Sequence, residues 1–252
     1  MMKILVTFAV GAEFASWRKQ HDFRQVSHQP FDVYKADIAG NSVRALLTGV
    51  GTTAASEALR WALCAPVDLC ISSGFAGALS KDLGIGDVLA ARVVVRPAEE
   101  LAVASDREML AVARQAGAHQ VDRFMTSERL VVNAAEKAEL TGGADAVEME
   151  SFVVLAEAAR HGVRAVTVRA VSDTAQASLP YDFDRARDTR GRIRVGPMLL
   201  EIARQPRRIP ALFRLVRDCH LAAGNLAVFL DGYLQLLDAR LNLSQSEMVA
   251  SL

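Results

Sequence analysis

The sequence predicts one α/β domain with a central mixed sheet flanked by helices in three layers, α-β-α, and a helical C-terminal extension. Three observations predict it. Strand and helix signals alternate through the first two thirds of the chain, the pattern of a parallel or mixed sheet. Several strand runs are continuously apolar, as strands covered on both faces are. With 252 residues, 51% of them hydrophobic and 23% charged, the chain can build one large core.

The elements follow in order. Met2 to Val10 is an unbroken apolar run and reads as a buried central strand rather than a signal peptide, because no small-residue cleavage site precedes Arg18 and Lys19. Phe31–Ile38 and Val43–Thr48 flank Ala-Gly-Asn at 39–41, a hairpin signal. Thr52 to Ala65 is rich in Ala and Leu and stops before Pro66, so it is expected to be helical. Val67–Ser72 and Asp87–Val95 are expected strands, with Gly74–Gly86 as a glycine-rich loop between them. Asp106–Gly117 reads as a helix ended by glycine. Arg129–Asn133, Ala144–Glu148 and Val163–Val171 are expected strands, and Glu150–Arg160 a helix. Residues 185–217 carry ten Arg and no Lys. An apolar stripe at helical spacing then runs through Leu212, Leu215, Val216, Cys219, Leu226, Phe229, Leu230, Tyr233, Leu234 and Leu237, with Pro210 in its first turn. Residues 1–175 are taken as the catalytic part and 176–252 as an extension of the same domain.

Composition removes several classes of function. Basic and acidic residues balance at 29 each, which offers no general field for nucleic acid. Cys64, Cys70 and Cys219 stand among apolar neighbours and read as reduced core thiols, which fits a cytoplasmic compartment. No Cys or His spacing suggests a metal, and no cofactor is expected. Gly49-Val50-Gly51-Thr52-Thr53-Ala54 formally fits a dinucleotide fingerprint, but no acid ends the next strand and the strand before it is not the first. It reads as a tight turn with close strand–helix packing, or as a helix start whose amides help hold an anion or a polar ligand. Ser151 and Ser172 lack a nucleophile elbow.

The acids stand out by position. Glu13 follows the first strand, Glu148 and Glu150 end the strand before the helix at 150–160, and Asp173 follows the strand Val163–Val171. Ligands of open α/β sheets bind beyond the carboxyl ends of strands, so Glu13, Glu150 and Asp173 are expected to gather there; each alone reads as a solvated loop acid. The loop Ser72–Leu79 carries glycines that let a ligand approach the backbone.

Together these segments resemble the purine nucleoside phosphorylase/uridine phosphorylase superfamily, and within it the 5′-methylthioadenosine/S-adenosylhomocysteine nucleosidases. The carrying segments are MKILVTFAVGAEF at 2–14, LTGVGTTAAS at 47–56, SSGFAGAL at 72–79 with GIGDV at 84–88, AVEMES at 146–151 and VRAVSD at 168–173. The resemblance implies a nucleoside phosphorylase-like fold and a small purine nucleoside as substrate, with adenine released by water. It implies that Glu13 activates the water and that Glu150, with Met149, holds the ribose. It further implies that Asp173, supported by Ser172, protonates the purine at N7. Leu130 and Val131 fall where the family flanks the base. Glu148, Gly74, Phe75, Ala76 and Gly51 complete the expected binding set.

The chemistry fits these residue types. Adenine leaves readily only when protonated. The ribose becomes oxocarbenium-like, which a neighbouring carboxylate stabilises. A second acid activates water on the opposite face, as in inverting glycoside hydrolysis. The phosphorylase branch carries Arg where this chain has Ser72, and an Arg is the natural phosphate clamp, so hydrolysis is favoured over phosphorolysis. Phe75 stands where the nucleosidases have Ser or Thr.

The 79 residues after Asp173 depart from that family. Residues 179–219 resemble the tail of the hopanoid-associated nucleosidases, which implies a lipid-linked nucleoside such as adenosylhopane as an alternative substrate. The tail is expected to pack on its own domain or on the partner of a homodimer, with weak association to a membrane surface as the second reading. A nucleoside-binding module without turnover is the non-enzyme alternative.

Overall fold

A computed structural model describes residues 1–186, 188, 191 and 194–250, with the side chains at 98, 185, 186, 195, 197 and 241–250 outside the description. Ten strands occur among the described residues: β1 (Lys3–Phe8), β2 (Arg24–Ser27), β3 (Asp32–Ile38), β4 (Asn41–Leu47), β5 (Leu69–Ala78), β6 (Val88–Arg96), β7 (Leu101–Ala104), β8 (His119–Thr126), β9 (Ala146–Glu148) and β10 (Arg164–Asp173). Seven α-helices accompany them: α1 (Gly11–Gln20), α2 (Thr52–Ala62), α3 (Arg107–Gln115), α4 (Ala134–Leu140), α5 (Ser151–Arg160), α6 (Val195–Arg204) and α7 (Ile209–Ala250).

The strands form one mixed sheet in the order β10-β6-β8-β9-β5-β1-β4-β3-β2, with β7 on β6. An added pairing of β10 with β5 closes β5, β10, β6, β8 and β9 on themselves, so this end of the sheet is a small barrel. At the centre β4, β1, β5 and β10 run parallel to one another. Alternation along each strand sends side chains to opposite faces. Ile4, Val6 and Phe8 join Val43, Ile71 and Val168 in one buried cluster, whereas Leu5 joins Leu46, Cys70 and Phe124 in another. The first cluster is covered by α1, α3 and α7 and the second by α2 and α5. This is the expected three-layer arrangement.

Two expectations are corrected. Residues 74–78 are not loop: β5 continues through Ala78, paired with β10 from Leu69 to Gly77. The glycines belong to a strand that must leave room for side chains crossing it. A Cβ at Gly74, where φ is +139°, would lie 2.6 Å from Glu13 Oε1 and 2.7 Å from Arg169 Nη1. Arg129–Asn133 is not a strand, because β8 ends at Thr126 and this segment has no ladder partner. It is held instead by Leu130 N–H to Asp184 Oδ2 (2.7 Å) and by Leu179 N–H to the Val132 carbonyl (2.8 Å).

The extension packs on the domain from Ala222 onward. Ala222, Leu226, Leu230, Tyr233 and Leu234 are buried in the first cluster, and Trp17 of α1 and His21 just after it both reach Asp231 at 2.7 Å. Ahead of Ala222, Phe213, Val216 and Leu221 are exposed. Of the arginine-rich stretch, Arg187, Arg190 and Arg192 lie outside the described residues. Among the described residues no helix is long and apolar enough to cross a membrane.

Candidate active site

The strand ends meet one cavity of about 210 Å³. Glu13, Phe75, Ala76, Leu130, Val131, Glu148, Met149, Glu150, Ser172 and Asp173 line it. Gly51 and Gly74 stand behind these side chains rather than in the lining.

Glu13 lies in the first turn of α1. Its Oε2 accepts from the N–H groups of Ala9 (2.7 Å) and Val10 (3.1 Å), and its Oε1 accepts from Phe75 N–H (2.9 Å). The strand-to-helix turn therefore closes onto the carboxylate and fixes it over Gly74. Burial raises its pKa, against the lowering effect of Arg169 and of these three amides. The amide of residue 75 is thus already given to Glu13.

Glu150 caps α5. Its Oε1 accepts from Gly51 N–H (2.8 Å), so the amide at the start of α2 holds a protein carboxylate. Its Oε2 pairs with Arg169 Nη1 at 3.2 Å. Burial pushes its pKa up to about 7; Arg169 opposes this, and the nearby Glu148 and Glu13 add to it. Glu148 is engaged within the protein. Oε2 accepts from Glu150 N–H (2.9 Å) and Ser151 N–H (2.7 Å), and Oε1 accepts from Thr126 Oγ1.

Arg169 is the residue that sequence reading passed over. It is 1% exposed, on β10, with Nη2 2.7 Å from Glu148 Oε2. Ser151 Oγ and Ser72 Oγ accept from it at 3.1 and 3.3 Å. Burial alone would lower its pKa, but Glu148, Glu150 and Glu13 more than offset that and raise it. A signal existed: a cation within the apolar strand VTVRAVSD requires buried acidic partners. Three carboxyl groups thus share one guanidinium at this end of the cavity.

Asp173 ends β10 at the other side. Its Oδ1 accepts from Ser172 Oγ at 2.7 Å, and its Oδ2 accepts from Lys137 Nζ. Gly77 admits the carboxyl group, since a Cβ there would lie 3.0 Å from Oδ2. Lys137, from α4, was also missed, and a Lys in AAEKAEL carries no sequence signal of burial.

A second cavity of about 420 Å³ adjoins the first, sharing Val10, Val50, Phe75, Leu130, Met149, Phe183, Leu215 and Cys219. Ala12 and Ala15 of α1 and Leu212 and Val216 of α7 extend its apolar lining. Among the described residues no group of His, Cys, Asp and Glu could hold a metal ion.

Comparison with known proteins bears on the fold and the family. The family model described as the phosphorylase superfamily matches residues 3–204. The 5′-methylthioadenosine/S-adenosylhomocysteine nucleosidase of Neisseria meningitidis, in complex with methylthio-immucillin-A, is 22% identical, with a TM-score of 0.71 over 93% of this chain and 99% of that one. The futalosine hydrolase of Helicobacter pylori is 19% identical, with a TM-score of 0.70 over 92% and 97%. The corresponding nucleosidase of S. pneumoniae, with a transition-state inhibitor, is 18% identical, with a TM-score of 0.70 over 94% and 100%. The chain belongs to the phosphorylase superfamily.

Proposed function

We propose that this member of the phosphorylase superfamily is a nucleosidase that hydrolyses the N-glycosidic bond of a 5′-substituted adenosine and releases adenine. The observation that carries this reading is the placement of Glu13. Its carboxyl group fills the space over Gly74 and takes the Phe75 N–H, beside two further acids that share Arg169. Such a site leaves a phosphate neither that space nor that amide and suits water, whose proton Glu13 takes. Ser72, buried and engaged with Ser151 and Arg169, supplies no phosphate clamp.

In this reading water attacks C1′ as the C1′–N9 bond breaks, and the bonding pair passes into the purine. Asp173 delivers a proton to N7. Glu150 accepts from the ribose hydroxyls, and its charge stabilises the oxocarbenium-like sugar. Met149 packs against the sugar, and Leu130 and Val131 flank the base. The structural relatives act on 5′-methylthioadenosine, S-adenosylhomocysteine and futalosine by name, which supports a 5′-substituted nucleoside. The apolar second cavity favours a further reading, in which the 5′ substituent is a bulky lipid, as in adenosylhopane.

Chromatography of adenine released from methylthioadenosine, S-adenosylhomocysteine and adenosine, with and without phosphate, tests the proposal. Release without phosphate is expected, and Glu13→Gln and Asp173→Asn should each lose about 100-fold or more. Release only with phosphate would make the chain a phosphorylase. No release from any adenine nucleoside would leave a binding module.

A further inference from the structure

Resting on the nucleosidase reading, we infer that Lys137 holds the proton that Asp173 delivers to the leaving purine. The Lys137 side chain is 0% exposed, and its ammonium donates to Asp173 Oδ2 and, at 2.8 Å, to the Thr174 carbonyl. A fully buried lysine is rare unless paired, and this one is paired with the acid at the purine end of the cavity. Asp173 Oδ1 meanwhile accepts from Ser172 Oγ. Both oxygens of the carboxyl group therefore receive hydrogen bonds, one of them from a cation. The relay inferred starts with the proton on Nζ and passes it through Oδ2.

The relay balances. As the C1′–N9 pair flows into the base, Nζ gives its proton to Oδ2, the carboxyl group gives it to N7, and Lys137 is left neutral. Glu13 has meanwhile taken a proton from the attacking water. Once the products leave, Glu13 returns that proton to solvent and Lys137 recovers one. Lysine suits this task because its ammonium can lose a proton in a dry site, whereas a guanidinium cannot. Lys137 does not line the cavity, so it acts through Asp173 as a positioning residue and proton store.

The test uses the full chain with Lys137→Gln, which keeps a hydrogen-bond donor, and Lys137→Arg, which keeps the charge. Each is assayed on the adenine nucleoside that the wild type cleaves fastest and on the matching 4-nitrophenyl riboside, whose leaving group needs no proton. Both variants are expected to lose about 100-fold or more in adenine release and to keep nitrophenol release within about threefold. Retained nitrophenol release also shows that the variants fold. Equal loss on both substrates would make Lys137 structural, and adenine release restored by Arg would reduce it to a counter-ion; either overturns the inference. A wild type that cleaves neither substrate would overturn the nucleosidase reading itself.

Discussion

On the proposed reading, the protonation of Glu150 bears on both binding and stability. Its pKa stands at about 7, pushed there chiefly by burial. Only the ionised form can accept from both ribose hydroxyls and stabilise a cationic sugar. kcat/KM is therefore expected to rise as pH passes through about 7, and Glu150→Gln should remove that limb while lowering the plateau. Stability runs the other way. The folded value lies above the ordinary 4.5, so the folded state binds more protons than the unfolded state between about 4.5 and 7. Stability is full below that window and is lost as pH rises through it. Thermal melts from pH 5 to pH 8 should show a falling Tm, with a flatter profile in Glu150→Gln. Gly74 gives a second residue-level expectation. Gly74→Ala puts a methyl group within 2.6 Å of Glu13 Oε1 at a backbone angle that alanine resists. It should depress kcat about 100-fold or more by displacing Glu13, and a rate within about threefold of wild type would show that the carboxylate does not need this seat.

At the scale of elements, what was legible followed from periodicity and what was hidden followed from packing. β1, the β3–β4 hairpin, α2, α5 and β10 carry clear apolar patterns, and they place Glu13, Glu150 and Asp173 at strand or helix ends. β5 was cut short because Gly74 and Gly77 look like loop residues until Arg169 and Asp173 are seen to occupy the space beside them. α1 has little amphipathic pattern. Its buried Phe14 and Trp17 pack with Phe8, Phe23 and Tyr34, an association that only the tertiary structure makes. Leu130 and Val131 read as strand because they are apolar, yet their partner is a cavity. α7 offers a quantitative contrast along one helix. Leu230 is fully buried and Val228 is 67% exposed. Leu230→Ala should cost about 2–5 kcal/mol in urea unfolding, whereas Val228→Ala should change stability by less than about 0.5 kcal/mol. Similar losses at both positions would mean that this helix packs differently.

Considered as a whole molecule, the chain builds its second cavity from parts far apart in sequence. Ala12 and Ala15 come from the first helix, Leu130 and Met149 from the middle, and Leu212, Leu215 and Val216 from the last helix. No local motif could announce such a volume, although the stripe at Leu212, Leu215 and Val216 was visible as a stripe. The long helix serves two ends. From Ala222 onward it closes the core, and before that its apolar side faces the cavity that continues from Glu150 and Met149. Because the two cavities share walls, a nucleoside seated among the carboxylates would send its 5′ substituent into the apolar one. Each buried methylene contributes about 0.8 kcal/mol of transfer free energy, nearly a factor of four in binding. A series of 5′-alkylthioadenosines is therefore expected to gain in kcat/KM with chain length until the cavity fills, with kcat nearly constant. Leu212 lines the second cavity and not the first, so Leu212→Arg should erase that gain and leave 5′-methylthioadenosine little affected. If kcat/KM falls as the chain lengthens from methyl, the cavity does not receive the substituent, and the lipid-linked reading falls with it.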